Sequence, residues 1–146
     1  PELIQHNQSR SYYGTLRGLH YQLDKAQGKL VRCSRGEIFD VAVDIRLKSP
    51  SFGKWVGAIL NDINHKQLWI PPDFAHGFLV LSKEADVVYS CSNYYDNKSE
   101  QGIIWNDTNL SIGWPKLKDN LPPKLSKKDL ALPSLEKHSS NSLPRF

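Results

Sequence analysis

The sequence predicts an all-β chain, an antiparallel sandwich or small barrel with one short helix near its C-terminal end. Three observations lead there. Short apolar runs recur at regular spacing with turn residues between them. Residues 37–46 alternate in polarity along a full strand. The helix signal is late: Ser126-Lys127-Lys128-Asp129 has the form of a capping box with Asp in place of Glu.

In chain order, residues 3–7 read as the end of a strand and 9–13 as a polar connection. Residues 14–22 are extended, 24–28 form a loop, and 29–34 form a strand that leads into the tight-turn signal Ser34-Arg35-Gly36-Glu37. In the run 37–46, Phe39, Val41, Val43 and Ile45 share one face, and Ile38, Asp40, Ala42 and Asp44 share the other. The plain reading of the two carboxylates, favoured by the pattern, is solvent exposure. The sharper one has them line a polar pocket inside a barrel and orient a histidine. Residues 49–53 break the chain, 54–60 form a strand, and 61–66 a polar hairpin loop. Residues 67–70 form a short strand stopped by Pro71-Pro72, and 74–81 an apolar strand holding His76. Residues 83–86 read as a turn, 87–93 as a strand centred on Tyr89, and 102–105 as the last strand. The boundaries expected are one domain over 1–136 and a polar, frayed tail over 137–146.

A chain of 146 residues fits one domain. Burial of roughly 68–70% of the unfolded surface is normal at that size. The net charge of +4 is spread out, with a denser group at Lys116, Lys118, Lys124, Lys127 and Lys128. No recognition helix or aromatic RNA-binding motif accompanies it, so nucleic acid is not the expected partner. Solvated lysines are, with one or two facing an anionic small ligand. Cys33 and Cys91 lie in apolar runs and read as buried thiols. No run approaches a membrane span and no signal-peptide pattern opens the chain, so no membrane partner and a cytoplasmic location are expected. The sequence contains no methionine, and the full gene product is expected to be longer.

The richest stretch is Leu16-Arg17-Gly18-Leu19-His20-Tyr21-Gln22. In a regular strand Arg17 and His20 would point to opposite faces. A bulge at Gly18 would bring both to one site. An arginine fork suits a phosphate or carboxylate, and a histidine in a dry barrel suits proton transfer. Equally, these are a surface arginine beside a hydrogen-bonded core histidine. A histidine-bound metal needs two histidines two apart on one strand, and the residue two after His20 is Gln22. No bound metal is therefore expected, and the reading includes no other cofactor. His20, His76, Tyr89, Asp40, Asp44 and Asp129 are candidates for acid–base work, and Lys29 for holding a developing enolate oxygen. Each alone has a duller reading, which pattern favours: His76 a core histidine, Tyr89 a barrel aromatic, Asp129 a capping residue. Arg17, Lys128 and Lys29 could engage a diphosphate, and Trp69, Tyr94 and Tyr95 a flat base.

Taken together the motifs resemble the dTDP-4-dehydrorhamnose 3,5-epimerase family. The matching stretches are 16–22, Ala26-Gln-Gly-Lys-Leu-Val-Arg32, 36–46, Ser49-Pro-Ser-Phe-Gly53, Gln67-Leu-Trp-Ile-Pro71, Phe74-Ala-His-Gly-Phe78, Asn93-Tyr-Tyr95, Trp105-Asn-Asp107 and Leu125-Ser-Lys-Lys-Asp129. The resemblance implies a metal-free, cupin-like jelly roll, usually a homodimer, that inverts the two carbons flanking the ketone of dTDP-4-dehydro-6-deoxy-D-glucose. It implies that His20 is the general base, Asp129 its orienting partner, Tyr89 the acid on the opposite face, and Lys29 the enolate support. Gln5, Asn7, Arg17, His76, Glu100 and Lys128 fall on substrate-binding positions, and Tyr95 on the thymine stacker. Position 6 is His where the family commonly has Asp, and position 73 is Asp where Gly is common. The family also carries an upstream Asp-x-Arg-Gly-x-Phe-x-Glu-like segment that this sequence does not contain. A 3-epimerase or 5-epimerase, and a non-catalytic sugar-nucleotide-binding cupin, are the alternative readings.

Overall fold

Two antiparallel sheets face each other in a computed structural model that describes residues 1–146. The strands are β1 (Gln5–Tyr12), β2 (Leu16–Gln22), β3 (Lys29–Arg35), β4 (Glu37–Asp44), β5 (Trp55–Asn61), β6 (Gln67–Ile70), β7 (Phe74–Val80), β8 (Glu84–Cys91) and β9 (Glu100–Gly102). The smaller sheet runs β1-β8-β3-β6 and the larger β5-β4-β7-β2-β9, giving the cupin-like jelly roll. One short helix, α1 (Lys127–Leu130), follows.

The alternation in β4 sorts its residues between two cores. Ile38 and Ala42 join Val31, Cys33, Leu60, Ile70, Phe78 and Val87 between the sheets. Val41, Val43 and Ile45 face the other way and pack with Leu19, Ile103, Leu110, Leu135 and Leu143. The C-terminal chain thus covers the outer face of the larger sheet, so both faces of β4 are buried. Solvent exposure of Asp40 and Asp44 is therefore overturned: they are 0% and 1% exposed. Cys33 and Cys91 are buried free thiols, and Asp73 takes the left-handed conformation at φ 68°.

Several boundaries move. Residues 9–12 belong to β1, whose Ser9 and Ser11 are too polar to show an apolar face. The turn expected at 83–86 is already β8 from Glu84, because Arg10 takes both oxygens of Asp86 at 2.7 and 2.9 Å across the ladder. The last strand is Glu100–Gly102 rather than 102–105, although Ile103 still exchanges backbone hydrogen bonds with Leu19. The tail is docked, not frayed: Leu143 is buried, Leu47 bridges to Arg145, and Tyr21 donates its hydroxyl to the Ser142 carbonyl at 2.7 Å.

Asp44 ties the end of β4 to the next loop. Burial alone would raise its carboxyl; hydrogen bonds from Arg46, Ser49 and Ser51 outweigh it and hold the group well below the ordinary carboxylate range. A carboxylate depressed by folding stabilises above its unfolded value of about 3.9 and loses that effect as pH falls through the folded one. Asp44→Ala is expected to cost about 2 kcal/mol at pH 6. In urea melts the gap from wild type should narrow below about pH 4; a gap that widens there contradicts this account.

Candidate active site

β2 departs from regular pairing where the site is built. Leu16 and Arg17 pair with Leu79 and Phe78, but His20 pairs with His76, so three residues on β2 span two on β7. This is the bulge expected at Gly18, which has φ +112°. A Cβ at Gly18 would lie 2.6 Å from the His76 carbonyl oxygen and 2.7 Å from the Gly77 Cα. The extra residue puts Arg17 and His20 on one cavity, while Leu19 between them turns into the outer core.

That cavity, about 660 Å³, opens between the sheets. β1 contributes Gln5, Asn7 and Ser9, β2 Arg17, His20 and Gln22, and β3 Lys29. β7 contributes His76, β8 Tyr89 and β9 Glu100, with Tyr95 at the rim and Lys124, Ser126, Lys128 and Asp129 from the α1 region. All eleven positions singled out by resemblance line it: Gln5, Asn7, Arg17, His20, Lys29, His76, Tyr89, Tyr95, Glu100, Lys128 and Asp129.

His20 sits at the centre. Its Nε2 lies 2.6 Å from Asp129 Oδ1, and Asp129 Oδ2 accepts the Gly18 backbone N–H at 3.0 Å. Ser126 caps α1 by accepting the Asp129 N–H at 3.1 Å. In a capping box the Asp129 carboxylate would reach back to the cap; here it turns to β2 instead. Burial by itself would raise this carboxyl, but the bonds from His20 and Gly18 and the nearby Lys128 outweigh it and hold it low. Because a carboxylate accepts only, the His20 Nε2 facing Asp129 carries a proton, and in the neutral ring Nδ1 keeps the lone pair.

Burial lowers the Lys29 ammonium, opposed by Cys91, Glu100 and Asp40. Burial raises the Tyr89 hydroxyl, keeping it a proton donor at neutral pH. Glu100 bridges the mouth, accepting from Lys128 and, at 3.0 Å, from the Tyr95 hydroxyl. The Tyr95 backbone N–H donates to Gln5 Oε1 at 2.7 Å, which fixes the rim loop to β1.

Other candidates fall outside. Asp44 serves the β4 end. His6 is exposed and meets Ser90 at 2.7 Å. Trp69 and Tyr94 are exposed and do not line the cavity, so of the three aromatics only Tyr95 is placed to meet a base there. Sequence reasoning missed Ser9, Gln22, Gln27 and Lys124 as wall residues. Gln22 and Gln27 hold the rim loop through the carbonyls of Tyr94 and Asn93. The signal for Lys124 was its place in the lysine group, and for Ser9 its period of two with Gln5 and Asn7. No three His, Cys, Asp or Glu side chains converge in metal-binding geometry.

The family model for dTDP-4-dehydrorhamnose 3,5-epimerase matches residues 1–137. The dTDP-4-dehydrorhamnose 3,5-epimerase of Shigella flexneri is 57% identical over 130 residues, covering 88% of this chain and 70% of that relative. The Neisseria gonorrhoeae enzyme of the same name is 57% identical over 128 residues, which are 88% of this chain but 38% of its own length. Among solved structures, the Legionella pneumophila dTDP-6-deoxy-D-glucose-3,5-epimerase in complex with dTDP-4-keto-L-rhamnose superposes with a TM-score of 0.95 at 52% identity. That match covers 99% of this chain and 76% of that one. On this similarity of sequence and shape, the chain belongs to the dTDP-4-dehydrorhamnose 3,5-epimerase family.

Proposed function

We propose that the cavity epimerises dTDP-4-dehydro-6-deoxy-D-glucose at C3 and C5, giving dTDP-4-dehydro-L-rhamnose. The observation that carries this reading is the 2.6 Å His20–Asp129 pair in one cavity with Tyr89 and Lys29. The C4 ketone makes the neighbouring C–H bonds acidic, since the charge left behind moves onto oxygen. His20 Nδ1 removes the proton, and Asp129 steadies the imidazolium that forms. The Lys29 ammonium holds the enolate oxygen. Tyr89 returns a proton to the opposite face, which inverts the carbon. Arg17, Lys128 and Lys124 suit the diphosphate, and Tyr95 suits stacking on the thymine.

The test is solvent deuterium. Incubated with the keto sugar in D2O, the protein should place deuterium at both C3 and C5 of inverted product. Label at C3 alone would make it a 3-epimerase, and binding of dTDP without any exchange would make it a non-catalytic sugar-nucleotide-binding cupin.

The proposal extends to a cytoplasmic homodimer. What supports the pairing is the open outer edge of β1, with the exposed Ile4 beside it. Light scattering should give twice the chain mass of 16.6 kDa; a monomer at working concentration ends that part of the reading.

A further inference from the structure

A second histidine–carboxylate pair lies one strand away from the first. His76 on β7 is the Cα partner of His20 on β2, and its Nε2 sits 2.7 Å from Asp40 Oδ1. His76 is 7% exposed and Asp40 is 0% exposed. The second oxygen of Asp40, Oδ2, is sealed from solvent and has no hydrogen-bond partner.

The fold gives Asp40 no reason to be acidic. Its neighbours on the same face of β4, Ile38 and Ala42, belong to the inter-sheet core. Its partners across the ladders are Ala58 on β5 and Phe78 on β7. An apolar side chain would suit that setting, whereas a sealed carboxylate with one oxygen unpaired opposes folding. What the carboxylate does provide is an acceptor aimed at one nitrogen of His76.

That acceptor decides the tautomer. His76 must present Nε2–H to Asp40. Its Nδ1 has no protein partner, yet it is not among the sealed polar atoms, and the ring lines the cavity. Phe78 packs beside the ring, with centroids 6.3 Å apart, and limits its rotation.

We propose that Asp40 is a positioning residue for the epimerisation, locking His76 with Nε2–H on the carboxylate and Nδ1 open to the sugar. This rests on the epimerase reading given above. Asp40 acts through His76 and needs no contact with substrate.

The test pairs kinetics with spectroscopy. An amide at position 40 keeps the shape but can donate to Nε2, which favours the opposite tautomer. Asp40→Asn should therefore lower kcat on the order of 10- to 100-fold with KM within about twofold. A thermal melt confirms that the variant is folded. Unchanged kcat in folded Asp40→Asn, or a rise in KM alone, overturns the proposal. If the variant does not fold, 15N-histidine NMR of the wild-type chain decides. The ring signals that vanish in His76→Gln should show a protonated Nε2, and an Nδ1–H tautomer alone overturns the assignment. If the wild type exchanges no deuterium into the keto sugar, it is the epimerase reading that fails, and the NMR result still stands or falls by itself.

Discussion

His20→Ala is expected to lower deuterium incorporation at C3 and C5 together by about 10³-fold, close to 4 kcal/mol of barrier. The two positions should fall in step because the proposed mechanism assigns both proton removals to His20 Nδ1. His76 forms a similar pair with Asp40, and a loss of label confined to one carbon in His20→Ala would mark it as the second base. Burial pushes Tyr89 upward, away from acting as a base at neutral pH. KM should change little, since the imidazole is needed for the proton and the binding groups lie elsewhere on the wall. Tyr89→Phe should behave differently. His20 can still remove a proton and return deuterium to the same face, so exchange persists while inversion drops at least about 10²-fold. Exchange at the wild-type rate in His20→Ala would remove this residue from the reaction.

Gly18→Ala is expected to be the most damaging single change to the fold of the site, at about 3 kcal/mol or more. Two penalties coincide. The backbone lies at φ +112°, where side chains are strained. The new Cβ would also meet backbone, 2.6 Å from the His76 carbonyl oxygen, and no flexible side chain can swing away to relieve it. Gly53 offers a control, with φ +77° and nothing within 4 Å of its would-be Cβ. Gly53→Ala should cost about 1 kcal/mol from conformation alone. A fall of roughly 10 °C in Tm for Gly18→Ala, against a few degrees for Gly53→Ala, is the expected pattern. Equal melting temperatures would mean that the bulge is not held by the close approach of the two strands. Surviving Gly18→Ala protein should also lose activity, because the bulge sets both Arg17 and His20.

The strands were legible wherever an apolar face met a core. Residues 37–46 carry a period of two that no helix would show, and they form β4. β1 was cut short for the converse reason: its inward residues Gln5, Asn7 and Ser9 face a polar cavity, so both faces of the strand are hydrophilic. The same blindness hid Asp40. Alternation says that a residue lies opposite an apolar face, but not whether water or a second sheet lies beyond. The capping signal at Ser126 found α1 correctly, yet local pattern could not foresee that Asp129 would serve a histidine 109 positions away. Only the ordered set of motifs, read as a family resemblance, joined those two residues before the structure did. The docked tail was missed because its anchors are sparse, Leu143 among mostly polar neighbours.

Both sheets are complete by Gly102, whereas the carboxylate behind His20 arrives only at position 129. Loss of the chain from Asp129 onward would therefore strip His20 of the carboxylate that aims it and uncover the outer face of the larger sheet at Leu135 and Leu143 in the same stroke.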